Sequence, residues 1–115
     1  MGLDARFRLR INKGDEIAIG PGKVALLEAI VETGSITAAA KHLGMSYRRA
    51  WLLVDDMNRC FKKPLVDSAK GGREGGGTVV NDHGMEVIRL YRSIETAAAE
   101  RTAADIARLG RMLNH

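Results

Sequence analysis

Residues 34–61, GSITAAAKHLGMSYRRAWLLVDDMNRCF, decide the fold. Ser35 is placed to cap a helix, because its hydroxyl accepts a bond from an otherwise unpaired amide of the first turn. Ile36, Ala39, Ala40 and Leu43 then recur at helical spacing and mark one apolar face. Gly44 follows, where a helix favours a residue that tolerates the left-handed conformation. Ser46 caps a second helix, on which Ala50, Leu53, Val54, Met57 and Phe61 form a single stripe. Gly44-Met45-Ser46 is the short glycine-containing connection of a helix-turn-helix, a unit that holds its second helix clear of the body.

Working outward, GSITAAAKHLGMS resembles the opening helix-turn-helix pattern of LysR-type regulators. SYRRAWLLVDDMN departs from that consensus and is similar to the DNA-binding domain of molybdate-responsive regulators of the ModE type, in its Ser-Tyr-basic-X-Ala-Trp run and later Met-Asn pair. The resemblance continues through a glycine-rich loop at Gly71–Gly77 and the helix beyond it, covering roughly residues 20 to 100. It implies a transcriptional regulator tied to molybdenum metabolism. ModE-type regulators carry molybdate-binding domains after the long helix, for which a chain ending at His115 has no room. Molybdate sensing is therefore not carried over; the chain reads as a stand-alone form, a paralogue with another trigger, or an excised fragment.

At 115 residues the chain is expected to be one folding unit with a small core. Its longest apolar runs, such as Ala50–Val54, are far shorter than the ~20 residues that cross a bilayer. MGLDARFRLRIN lacks the apolar segment of a signal peptide, and the single cysteine, Cys60, has no internal partner; both point to a cytoplasmic location. Net charge is +4, and the whole excess lies between Ser35 and Val80, with eight Lys/Arg against four Asp/Glu. Elsewhere ten cations face ten acids. Localised basicity is the electrostatic footprint of a polyanion-binding surface, although a solvated basic face explains the charge alone equally well.

Ala5 to Asn12 alternates Phe7, Leu9 and Ile11 with Arg6, Arg8 and Arg10, the pattern of a half-buried edge strand with a wet cationic face. Lys13-Gly14-Asp15 is a turn signal. Gly20-Pro21-Gly22 ends strand structure and opens a first helix through Glu32, with Pro21 tolerated in its first turn. Pro64 closes the third helix. Leu65-Val66 and Thr78-Val79-Val80 read as short strands of a hairpin whose glycine-rich tip holds Lys70 and Arg73, a wing. Asn81 caps a last helix from about His83 to Leu109 or beyond, roughly 40 Å long. Its stripe of Ile88, Tyr91, Ile94, Ala98, Thr102, Ile106, Leu109 and Leu113 exceeds what so small a domain covers, and is expected to pack on a second copy. The fold class expected is mainly α with a small β component: a winged helix-turn-helix over 1–82 and a dimerisation helix over 83–115.

For duplex DNA, the start of the second helix of the motif points into the groove. Ser46, Tyr47, Arg48 and Arg49 hold those positions. Of the two arginines, one is expected to read a base and one to hold a phosphate. Ser35 and Thr37 lie at a helix N-terminus suited to a backbone phosphate, and Lys70 and Arg73 would reach backbone or minor groove. Trp51 is read as packing, Leu52 as exposed or covered by another subunit, and Cys60 as a buried thiol. His42, His83 and His115 share no ligand spacing with Cys60, so no metal site or cofactor is expected. Catalysis is disfavoured. Asp55 and Asp56 are neighbours on a helix and do not face each other, and the glycine loop lacks P-loop order. The competing readings are an anion- or nucleotide-binding module built on the glycine loop, and a dimeric adaptor that binds protein through its long helix.

Overall fold

The computed structural model describes residues 3–68 and 77–114. Its elements are β1 (Ile11–Lys13), β2 (Glu16–Ile19), α1 (Pro21–Thr33), α2 (Ile36–Leu43), α3 (Tyr47–Cys60), β3 (Val66–Ser68), β4 (Thr78–Val80) and α4 (Asp82–Arg111). The helix boundaries follow from local chemistry. The Ser35 hydroxyl accepts from the Ala38 amide at 3.0 Å, Ser46 from Arg49 at 3.1 Å, and the Asn81 side chain from Gly84 at 3.0 Å. Gly34 and Gly44 end α1 and α2 at φ of 80° and 70°, a region where a side chain is strained.

α1 is apolar around most of its circumference because it is surrounded. Val24, Leu26, Leu27, Ala29 and Ile30 are all buried, and they meet Ala39 and Ala40 of α2 and Ala50, Val54 and Met57 of α3. The alanines at these crossings keep the three helices close, so the helix-turn-helix is held as one body.

Two small antiparallel hairpins flank it. β1 pairs with β2 through a turn in which Gly14 has φ +59°, with a bulge between Ile11 and Asn12. The strand expected over Ala5–Asn12 is a correction: only its last residues pair, and residues 3–10 lie outside any strand. β2 is four residues long before the chain enters Pro21, so it offers no backbone for the arm to pair with. Phe7 and Ile11 are consequently exposed, and Leu9 is the arm's contact with the core. β3 pairs with β4 in the register Val66↔Val80, forming the base of the wing. Asn58 clamps it to α3, accepting from the Leu65 amide at 2.8 Å and donating to the Val66 carbonyl at 3.1 Å. The Thr78 amide donates to the Gly34 carbonyl at 3.2 Å and ties the wing to the α1–α2 corner. The wing tip, with Lys70 and Arg73, lies outside the described residues.

α4 has 30 residues and is about 45 Å long. The radius of gyration is 17.0 Å, against roughly 13 Å for a compact chain of this length, so the helix projects from the body. Its base is fixed by close approach at Gly84, where an added Cβ would collide with the Leu65 carbonyl. Arg92 also grips Glu28 of α1 through paired bonds of 2.9 and 2.5 Å. Tyr91, expected on the dimerisation stripe, is a second correction. It is 2% exposed, and its hydroxyl donates to the Leu9 carbonyl at 2.7 Å. Ile88 also packs on the domain's own core. Further along, Leu3 of the arm lies against Gly110, and between these two contacts Ala98, Thr102 and Ile106 are half-buried. Leu90, Ile94, Leu109 and Leu113 remain exposed on α4 and just past its end.

Candidate nucleic-acid interface

The sequence places one buried face on α3, and everything else on that helix is available to solvent. Ala50 and Met57 are fully covered, which fixes the rotation of the helix. At about 100° per residue, Arg48 stands ~180° around the axis from Met57, on the outward meridian. Arg49 is turned towards the flank, where it lines a cleft of about 480 Å³ with Arg8 and Arg10 of the arm. That cleft also holds Lys23, Asp15, Glu16 and Asp56, and its floor is the first turn of α1. Lys23 is nearly buried, donating to the Ile17 carbonyl and lying 3.9 Å from Asp56.

The two halves of α3 differ electrostatically. Towards its C-terminal end Arg59 is engaged by Glu16 at 3.1 Å, by Asp55 at 3.2 Å and by Asp56. The hydrogen bond that Arg59 donates to Glu16, then the one it donates to Asp55, leads in holding its guanidinium above the ordinary arginine range. Arg89 and Arg92 on α4 are likewise paired, with Glu86 and with Glu28 and Glu95. At the N-terminal end the charges are open. Among the described residues neither Arg48 nor Arg49 has a carboxylate partner, and both are exposed, as are the equally unpaired Lys41, Lys62 and Lys63.

The structure therefore brings Ser46, Tyr47, Arg48 and Arg49 together on one protruding helix end, with Tyr47 54% exposed. Ser35 and Thr37 sit at the start of α2; Ser35 spends its hydroxyl oxygen on the Ala38 amide, and Thr37 is exposed. Lys70 and Arg73 lie outside the described residues. Trp51 departs from its expected packing role: it is 47% exposed, beside Leu52 at 43%. The sequence carried a signal for this, since neither residue falls on the stripe of Ala50, Val54 and Met57. Cys60 is half-buried, its thiol 3.7 Å from a Glu16 carboxylate oxygen. No helix among the described residues is long and apolar enough to cross a membrane, and no cluster of metal-ligating side chains occurs among them.

Residues 22–85, from α1 to the first turn of α4, match the family described as bacterial regulatory helix-turn-helix protein, lysR family. The chain is similar to the molybdenum transport protein ModE of Azotobacter vinelandii, at 40% identity over 92 residues, 78% of this chain and 34% of that protein. It is 45% identical over 82 residues to the molybdenum-pterin-binding protein MopB of Rhodobacter capsulatus, 71% of this chain and 30% of that one. With the DNA-binding transcriptional dual regulator ModE of Escherichia coli it shares 35% identity over 89 residues, 77% and 34% of the two chains. The chain thus spans about a third of the length of the curated relatives it matches.

Proposed function

The chain belongs to the lysR family of bacterial regulatory helix-turn-helix proteins, and from that premise we propose that it is a sequence-specific regulator that inserts α3 into the major groove of duplex DNA as a homodimer. The observation that carries this reading is the open pair of arginines at the start of α3. Two guanidinium groups without a carboxylate partner among the described residues, on a protruding, capped helix end, suit a polyanion with a groove wide enough to admit a helix. Arg48, on the meridian, reads a base edge, while Arg49, on the flank beside Arg8 and Arg10, holds a phosphate. Ser35, Thr37 and Tyr47 add backbone contacts, and Lys70 and Arg73, which lie outside the described residues, belong to the same proposal as further cationic contacts.

Residues 1–82 form the DNA-binding unit and 83–115 the dimerisation helix. Ile94 and Leu109 are 46% and 65% exposed on a helix that projects from the body, and covering the surface they still expose contributes about 1–2 kcal/mol each, roughly half the value for full burial. Two-fold pairing along α4 presents two copies of α3 to an inverted repeat, with half-sites about one helical turn or a multiple apart. The names of the curated relatives connect them with molybdenum, and we extend to this chain a regulatory role in molybdenum metabolism.

The test is selection of binding sites from a random duplex pool, with and without molybdate, followed by titration of the selected site at increasing salt. An inverted repeat is expected, with affinity on the order of 10⁻⁸ M or tighter that falls steeply as salt displaces the phosphate contacts. Recovery of no enriched sequence, or an affinity indifferent to salt, refutes the reading.

A further inference from the structure

The recognition surface of α3 is not only cationic. Trp51 and Leu52, 47% and 43% exposed, flank Arg48 on its two sides, about 60° and 40° away around the helix axis. Beyond them the helix turns acidic at Asp55, which is engaged by Arg59. Singly exposed apolar side chains are common, but these two are neighbours on one helix face and form a patch with Arg48 between them, so whatever covers the pair also covers Arg48. An ordinary apolar protein surface would leave that guanidinium desolvated without a partner, at considerable cost. A major groove does not, because it places phosphates and guanine acceptors beside apolar spots of one kind, the C5-methyl groups of thymine.

We propose that Trp51 and Leu52 form a methyl-reading pair, a subsite for pyrimidine C5-methyl groups next to the base contacted by Arg48. This rests on the DNA-binding reading and adds to it a source of specificity that uses no hydrogen bond. Arg48 supplies charge and direction, while the two apolar side chains distinguish thymine from cytosine by contact alone. Removal of one contacted methyl then weakens binding about four-fold, the equivalent of ~0.8 kcal/mol for a buried methylene-sized group.

The experiment uses a duplex selected from the random pool and the same duplex synthesised with deoxyuridine for every thymidine, which deletes the methyl and leaves pairing unchanged. The full chain should bind the uridine duplex roughly four-fold more weakly per methyl contacted. In W51A and L52A that preference should shrink towards unity. Thermal unfolding checks that each variant is folded, which both half-exposed sites should allow. Trp51, the single tryptophan of the chain, gives an independent readout: duplex binding should shield its fluorescence from acrylamide. Equal binding of both duplexes by the unsubstituted chain, or a preference that survives intact in both variants, overturns the methyl-reading pair while leaving the DNA-binding reading standing. An accessible Trp51 in the bound state overturns its part in the pair. Failure to retain any duplex at low salt overturns both readings together.

Discussion

Gly84 is a position at which the long helix approaches the rest of the domain closely, and its replacement by alanine tests how tight that contact is. A Cβ there would strike the Leu65 carbonyl and lie 2.5 Å from Cγ1 of Val80. Val80 can shift, but the carbonyl cannot move freely, because it accepts the Asn81 amide at 3.0 Å, just where Asn81 caps α4. Overpacking of this kind costs about 1–3 kcal/mol, and weakening the Leu65–Asn81 bond a further ~1 kcal/mol. Against this stands the helical preference for alanine over glycine, at most about 1 kcal/mol and less in the first turn. The clash wins, by roughly 2 kcal/mol. For a domain of this size that lowers Tm by about 8 °C, measured by circular dichroism at matched protein concentration because assembly would shift both curves. An unchanged or raised Tm for G84A would refute the argument, since relief of glycine's entropy would then outweigh the contact.

Tyr91→Phe leaves the ring in place but strips the Leu9 carbonyl of its donor, and should cost about 0.5–1.5 kcal/mol in denaturant unfolding. Burial, ahead of the repulsion from Glu95, holds the Tyr91 phenol above its ordinary value of 10.0. Its contribution should be complete below pH 10 and fade as pH rises through the folded value, and Y91F should lose that alkaline dependence. Truncation before Ile94 should give monomers by analytical ultracentrifugation and much weaker binding to an inverted repeat; a dimer that survives the cut removes α4 from the proposed assembly.

Much of the architecture was legible because it is written locally. Ser35, Ser46 and Asn81 announce helix starts through the reach of a short polar side chain, and Gly34 and Gly44 announce ends through their positive φ. What periodicity does not state is which body covers a face. Tyr91 and Ile94 share one stripe in the sequence, yet the first is buried in its own domain and the second is exposed, because Ile94 stands about 60° around the axis from Tyr91, off the face on which Ala98 and Thr102 are half-buried. Alternation in Phe7, Leu9 and Ile11 likewise marks a strand-like arm without revealing that β2 is too short to pair with it. Trp51 departs from the expected packing for a related reason. Size and hydrophobicity suggest burial, but rotation about the α3 axis, fixed by Ala50 and Met57, turns it outward. Spacing alone pairs Arg59 with Asp55 and Asp56 one turn back and leaves Arg48 without such neighbours, but only the fold brings Glu16 across to Arg59 as a third partner.

The central claim is that Arg48, at the leading end of α3, reads a base. Its most direct test is the dissociation constant of R48A for the selected site and for an unrelated duplex, measured side by side at one salt concentration. The account predicts a loss of about 1–3 kcal/mol on the selected site with little change on the unrelated one, so that discrimination collapses. Equal losses on both duplexes, or none on either, would contradict it.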